Sequence, residues 1–378
     1  MAFKFNFTCD DLDLDETDEG QQLESSLGDL SLEEECNKIP CQQYDILSSA
    51  LPTVIQADML EIPSVEKLIY KRTLADVKFQ MAEQDTLVDQ GDNSSSEVVS
   101  MLNLSGNSDL IRGVYEGGFK TWECSVDLVQ FLSQLPKEQI TNKKILELGC
   151  GSSLPSLYLL SKNDSNKVDV QDYNEQVIRC ITIPNILLNT ILTIQDPSTA
   201  INDNKEEENE ESSESEDDEN EGEDEEEEEE DEEEDRIIGD SNTCDAEADI
   251  PAEQAPDMLR RLSERTKAFI GDWSGLPDKL NLKNDEDKYD MIVTSETIYA
   301  EHALPDLIRV FQKALKKPSG VGYVAAKTVY FGVGGGILPF CDILRNTKDS
   351  DGDKFKIEKV FESDSTVKRE ILKITWDI

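Results

Sequence analysis

The sequence predicts an α/β fold: a doubly wound, mostly parallel seven-stranded sheet, with an acidic tail and an acidic insertion left outside the packed core. Three observations lead there. From Lys144 onward, short aliphatic runs alternate with segments of helical spacing, the pattern of strands joined by crossover helices. A turn rich in glycine, Gly149-Cys150-Gly151, directly follows the first of those strands. The last two strand-like segments have no helical segment between them, so the sheet is expected to finish on an antiparallel pair.

Taken in order, KILEL (residues 144–148) reads as a buried strand, and LPSLYLLS after the turn reads as a helix. A second strand is predicted at 168–172, and a helix at 174–189 with a break at Pro184. Strands three to five fall at 268–272, 289–294 and 320–327, with helices at 302–315 and 336–346, and the closing pair at 355–362 and 368–376. Upstream, SVDLVQFLSQL has helical apolar spacing. Residues 1–57 are acidic and poor in apolar groups and read as a disordered tail. Residues 58–111 read as a segment that covers the core, strand or helix, followed by a polar loop. The main domain then spans 112–378, interrupted by a disordered insertion at about 195–259.

The net charge of -47 comes from 83 acidic against 36 basic residues, and 24 of the acidic ones lie between Lys205 and Asp235. Such a chain has no bulk field for nucleic acid phosphates, whereas a basic protein partner fits it. Steering of that partner by the acidic run would weaken with salt. The single histidine, His302, and eight cysteines with no CxxC pair give a zinc site almost no ligand set. Scattered thiols suit a reducing compartment, cytoplasmic or also nuclear. No secretory signal or membrane span is recognised, and the chain is expected to act as a monomer.

The segment ILELGCGSS places the glycine turn at the C-terminal end of a strand, where open α/β sheets bind nucleotide ligands. A dinucleotide fingerprint would need a third glycine where Leu154 stands, with Pro155 behind it. An acidic residue two positions before the first glycine, Glu147, instead suits S-adenosylmethionine, whose amino acid ammonium welcomes a carboxylate. Asp172, in QDYN about 20 residues on, can take a ribose diol. Gly271-Asp272-Trp273 offers a carboxylate for an adenine amino group and an aromatic to pack on the ring. Ser295, Glu296 and Tyr299 in TSETIY are candidates for substrate contact, or for satisfying backbone groups at a helix start. The glycines of YFGVGGG (residues 330–336) argue for a tightly turned or mobile loop against the site. Trp122, in EGGFKTWEC, could roof the cofactor or anchor the core.

Together these six segments, in this order, resemble the seven-β-strand protein-histidine N-methyltransferases that modify a large-subunit ribosomal protein. The resemblance covers about residues 67–378 without the acidic insertion, and it implies the class I, Rossmann-like methyltransferase fold. It implies cofactor contacts from Thr121, Trp122, Glu123, Cys124, Ser125, Glu147, Gly149, Gly151, Asp172, Tyr173, Asn174, Gly271, Asp272, Trp273 and Ser295. It implies methyl transfer to the tele nitrogen of a histidine in ribosomal protein 3 of the large subunit, with no metal. Ser153 stands where many methyltransferases carry a third glycine, and the acidic insertion is longer than the family leads one to expect. Glu296, and after it Tyr299, would serve the reacting imidazole. The runner-up readings are a lysine methyltransferase of the same fold and a non-catalytic acidic binder of ribosomal proteins.

Overall fold

The computed structural model describes residues 38–87, 117–194, 244–332 and 334–378. Tyr115, Glu116, residues 1–37 and the acidic run within 195–243 lie outside the described residues. The strands, in chain order, are β1 (Gln42–Tyr44), β2 (Val54–Leu60), β3 (Ile69–Arg72), β4 (Lys144–Leu148), β5 (Lys167–Asp172), β6 (Ala246–Asp249), β7 (Ala268–Ile270), β8 (Met291–Ser295), β9 (Val321–Lys327), β10 (Lys354–Glu362) and β11 (Arg369–Asp377).

The large sheet has the order β1-β7-β5-β4-β8-β9-β11-β10. β7, β5, β4, β8 and β9 run parallel, while β11 and β10 are antiparallel. The expected seven strands are all present at the expected places, with ends shifted by at most two residues. Ile145, Leu146, Leu148, Val168, Val170, Ile292 and Val293 are completely buried, as required of parallel strands covered by helices on both faces. Each such aliphatic side chain contributes roughly 1.5–3 kcal/mol by leaving water. The crossovers run from β4 toward β5 and β7 on one side and toward β8 and β9 on the other. The C-terminal end of β4 is therefore the switch point where a crevice opens.

Three corrections arise in the flanking segments. The tail expected over 1–57 ends earlier, because β1 pairs antiparallel with β7 and β2 begins at Val54. The insertion expected over 195–259 is also shorter. β6 at Ala246–Asp249 pairs with β2, and a helix covers Ala255–Ser263. The covering segment is both strand and helix: β2 and β3 form, with β6, a second sheet of order β3-β2-β6, and a helix follows from Leu74. Both described ends of the acidic insertion reach this small sheet. Asn189, one turn before the chain leaves at Ile194, exchanges hydrogen bonds with the Tyr70 backbone (3.0 and 2.7 Å). Asp245, where it returns, donates its N–H to Ala57 O at 3.1 Å.

The helix break expected at Pro184 takes a specific form. Ile178–Thr182 is a π-helical turn, followed by a regular helix over Ile183–Thr190. Proline has no N–H, so the carbonyl four residues back, that of Cys180, loses its helical donor. The fully buried Arg72 of β3 supplies one, with Nη1 donating to Cys180 O at 2.8 Å. The same guanidinium holds Asp76 at 2.7 Å and Gln80 at 2.6 Å, so its charge is paired and its donors are used. The small sheet is thereby locked to the helix that follows β5.

Near the opposite edge, the Lys317 ammonium lies among Asp349, Asp351 (2.9 Å) and Asp353 (2.7 Å), and 4.6 Å over the Trp376 ring. This carboxylate cluster already holds a cation from its own chain. Among the described residues no helix is long and apolar enough to cross a membrane.

Candidate active site

The glycine turn sits at the switch point. Gly149 has φ +58° and Gly151 φ +49°, and Ser153 is also left-handed at φ +66°. Gly149 is glycine for two reasons: its φ disfavours any L side chain, and a Cβ there would lie 2.5 Å from Thr297 Cγ2. Thr182 Oγ1 donates to Gly151 O at 2.8 Å, and Asn185 Nδ2 donates to Ser152 O at 2.9 Å. Asn185 in turn accepts from the Arg72 backbone N–H at 2.7 Å. The turn is thus held from below by the π-helical segment and, through it, by the small sheet.

Glu147 is completely enclosed beneath the turn. Its Oε2 accepts from Ser153 Oγ (3.0 Å), from the Ser156 N–H (3.1 Å) and from the Ser156 hydroxyl. These bonds fix the start of the helix Leu154–Lys162. Its immediate partner is therefore the chain itself rather than an open pocket. Burial pushes its carboxyl up to about 7, against the lowering effect of the serine donors. The sign follows from linkage. The folded state holds the proton more tightly, so stability is full below the ordinary value of 4.5 and falls as pH rises toward 7. The loss is on the order of 3 kcal/mol. Glu147→Gln keeps an acceptor for the serines and removes this dependence. Its denaturation midpoint is expected to match the wild type at pH 5 and exceed it at pH 8; equal curves at both pH values would rule this out.

Asp172 ends β5 beside the turn. Its Oδ2 accepts from the Gly151 N–H at 2.9 Å and its Oδ1 from the Asn174 N–H at 3.2 Å. These bonds fix the orientation of the carboxylate beside the turn. Tyr173 accepts the Ile39 N–H at 3.2 Å. Asn174 is buried and caps the turn Glu175–Val177. Gly271 follows β7, and its N–H meets Asp172 O at 3.0 Å. Asp272 caps the short turn Trp273–Gly275 by accepting from Ser274 N at 2.9 Å, and its Oδ1 also receives Lys38 Nζ at 3.3 Å.

Sequence reasoning did not single out Gln171, which joins these pieces. Its Oε1 accepts from Gly149 N (3.3 Å) and Trp273 Nε1 (2.7 Å), while its Nε2 donates to Gly271 O (2.8 Å). A buried glutamine inside an apolar strand was the available signal. The upstream segment closes over the turn. A Cβ on Gly151 would lie 3.2 Å from Gly118 Cα, and Thr121 Oγ1 donates to Ser152 Oγ at 3.2 Å. Trp122 is the cap residue of the helix Glu123–Ser133, and Ser125 Oγ bonds back to Trp122 O at 2.7 Å.

A second group of residues assembles where β8 and β9 end. Ser295 closes β8. Glu296 is 9% exposed, has φ +55°, and accepts the Tyr330 hydroxyl on Oε2. Its Oε1 is buried and meets no partner of ordinary hydrogen-bond geometry, with the Cys124 thiol beside the carboxylate. A non-glycine residue in left-handed conformation is held there only by its surroundings, and such strain gathers at functional sites. Burial raises the Glu296 carboxyl, against lowering by the Cys124 thiol, the Tyr330 hydroxyl and the Lys327 charge. Burial and the Glu296 charge push the Tyr330 hydroxyl well up. Lys327, at the end of β9, pairs with Glu123 at 2.9 Å and lies 5.9 Å from the Trp122 ring. Tyr299 stands edge-on to Tyr330 at 6.3 Å. The structure thus brings Glu296, Tyr299 and Tyr330 together with the Trp122–Cys124 segment. Tyr330 and Lys327 were legible only as members of a motif.

No family model matches the sequence. The chain is 30% identical over 327 residues to Histidine protein methyltransferase 1 of Schizosaccharomyces pombe, with 81% of each chain covered. It is 29% identical to the protein of the same name from Saccharomyces cerevisiae, with 98% of each covered. It is 34% identical to the bovine homolog over 65% of this chain and 52% of that one, so it spans about half the length of that relative. Among solved structures, a putative S-adenosylmethionine dependent methyltransferase from Listeria monocytogenes aligns over 68% of this chain at 10% identity and a TM-score of 0.35. The extent of the match to the Schizosaccharomyces pombe protein places this chain in the histidine protein methyltransferase 1 family.

Proposed function

We propose that this protein is an S-adenosylmethionine-dependent protein-histidine N-methyltransferase that forms tele-methylhistidine on ribosomal protein 3 of the large subunit. The observation that carries the reading is the pairing, at one sheet edge, of a preorganised glycine turn with the strained, buried Glu296, in a chain whose relatives are named for this activity. The cofactor fits the donor set. The left-handed Gly149 and Gly151 let the turn pack directly under Thr297 and Gly118, and Asp172, bonded to the Gly151 N–H, stands beside it at the end of β5. Asp172 would hold a ribose, Trp273 and Asp272 the base, and the segment Thr121–Ser125 would close over it. When bound, the cofactor supplies an electrophilic methyl group on a sulfonium.

The remaining work falls to the chain. A neutral imidazole already has a nucleophilic lone pair and an ordinary pKa near ~6.5, so no strong base is needed. What is needed is one tautomer held in one orientation, and such positioning can supply ~7–11 kcal/mol of a barrier. Glu296, with Oε2 occupied by Tyr330, would offer its enclosed Oε1, beside the Cys124 thiol, to a proton-bearing ring nitrogen. If that nitrogen is Nδ1, the lone pair of Nε2 is presented for methylation, which gives the tele product.

The test is incubation of the purified chain with labelled S-adenosylmethionine and an extract of cells lacking it, followed by mass spectrometry. Label on a histidine of ribosomal protein 3 is the expected result. Label on lysine alone would replace the reading, and a histidine in another protein would replace the substrate.

A further inference from the structure

The loop after β9 carries an exposed apolar surface that the proposed chemistry does not use. Phe331 is 86% exposed, Leu338 68% and Val329 48%. Other large apolar side chains exposed among the described residues, such as Phe79 and Leu47, are scattered along the chain, and scattered ones need no explanation. These three lie within ten positions of sequence, on backbone that is pinned. Gly335 N donates to Tyr299 O at 2.9 Å, Gly336 N to Ile298 O at 2.8 Å, and Thr328 N to Lys368 O at 2.9 Å. The approach at Gly335 is so close that a Cβ there would lie 2.2 Å from Tyr299 O. Phe331 is therefore presented to solvent between pinned points of the chain at Thr328 and Gly335. Its neighbour Tyr330 turns the other way and donates its hydroxyl to Glu296, so the same stretch of chain alternates between the reacting edge and the outside.

We propose that Val329, Phe331 and Leu338 form the docking surface for the polypeptide of a basic protein substrate, on which the chain flanking the target side chain lies. The inference rests on the function proposed above. Continuity identifies the occupant: whatever inserts a side chain as far as Glu296 has its own backbone passing over this loop. Charge agrees, since the exposed Glu301 lies beside Gly334, its carboxylate 3.8 Å from where a Cβ there would sit, and the chain as a whole carries -47. An exposed aromatic beside the site is the residue type that anchors such contacts.

The experiment compares the full chain with Phe331→Ser, Phe331→Ser/Leu338→Ser and the distant Phe79→Ser. Each is assayed for initial rates of labelling of extract from cells lacking the protein, over a range of dilutions, and for affinity to S-adenosylhomocysteine. Loss of one aromatic anchor is expected to lower the rate on the order of tenfold in dilute extract, with recovery in concentrated extract, unchanged affinity for S-adenosylhomocysteine, and Phe79→Ser like the wild type. Equal rates for wild type and Phe331→Ser at every dilution overturn the docking surface alone. So does a Phe331 effect confined to sedimentation mass, which would make the surface a contact between copies. Absence of labelling by the wild type overturns the proposed function and this surface with it.

Discussion

Gly149→Ala is expected to weaken binding of S-adenosylhomocysteine by a factor on the order of 30 or more, about 2 kcal/mol, and to lower the thermal midpoint as well. The left-handed φ of +58° costs an L side chain roughly 1–2 kcal/mol. The new methyl would also lie 2.5 Å from Thr297 Cγ2, and overpacking of this kind typically adds ~1–3 kcal/mol. Thr297 cannot swing away cheaply. Its hydroxyl shares a hydrogen bond of 2.6 Å with Thr294 Oγ1, which donates to Leu148 O at 2.8 Å. The backbone of the turn must therefore move, and with it the Gly149 N–H held by Gln171. A second substitution, Thr297→Ala, removes the clash but not the φ penalty, so the double variant should recover part of the loss. Calorimetric titration and thermal melts read both quantities. An unchanged affinity in Gly149→Ala would mean that the turn is not where the cofactor binds.

Glu296→Gln should reduce methyl transfer by about 10²-fold, at the lower end of what a positioned acid–base group contributes, while leaving cofactor affinity within twofold. The amide keeps the shape but loses the charge, and it puts an NH₂ in place of one of the two acceptor oxygens. The pH profile separates this from a folding defect. The wild-type carboxyl is raised by burial, so it ionises above the usual carboxylate range, and activity climbs with pH as both it and the substrate imidazole lose their protons. In Glu296→Gln only the imidazole limb, near ~6.5, should remain. Wild-type rates from Glu296→Gln and Glu296→Ala, with an unaltered profile, would remove this residue from the chemistry.

The parts of the fold that could be read from sequence are those whose physics is local. KILEL, VDV and MIVTS carry aliphatic residues at most of their inner positions because parallel strands are buried on both faces, and the glycine turn declares itself because only glycine suits Gly149. The small sheet stayed hidden for the opposite reason. β6 is AEAD, four residues with only alanine to bury, and it follows directly on an acidic stretch whose composition reads as unfolded. β1, QQY, is three residues long and is a strand only because β7 lies beside it. The site divides in the same way. Asp172 and Glu296 could be located from their places at strand ends. The Gln171–Trp273 bond spans 102 positions and the Glu296–Tyr330 bond 34, and such pairings are settled by the tertiary fold rather than by neighbours in sequence.

The points where the acidic run leaves and rejoins the fold have a consequence for how its length can vary. The helix Ile183–Thr190, about 12 Å long at 1.5 Å per residue, leads to Ile194, and Asp245 re-enters beside β2. Both mooring points belong to the small sheet and the helix packed on it. The length of chain between them can vary while β6, paired with β2, keeps the two moorings stitched together.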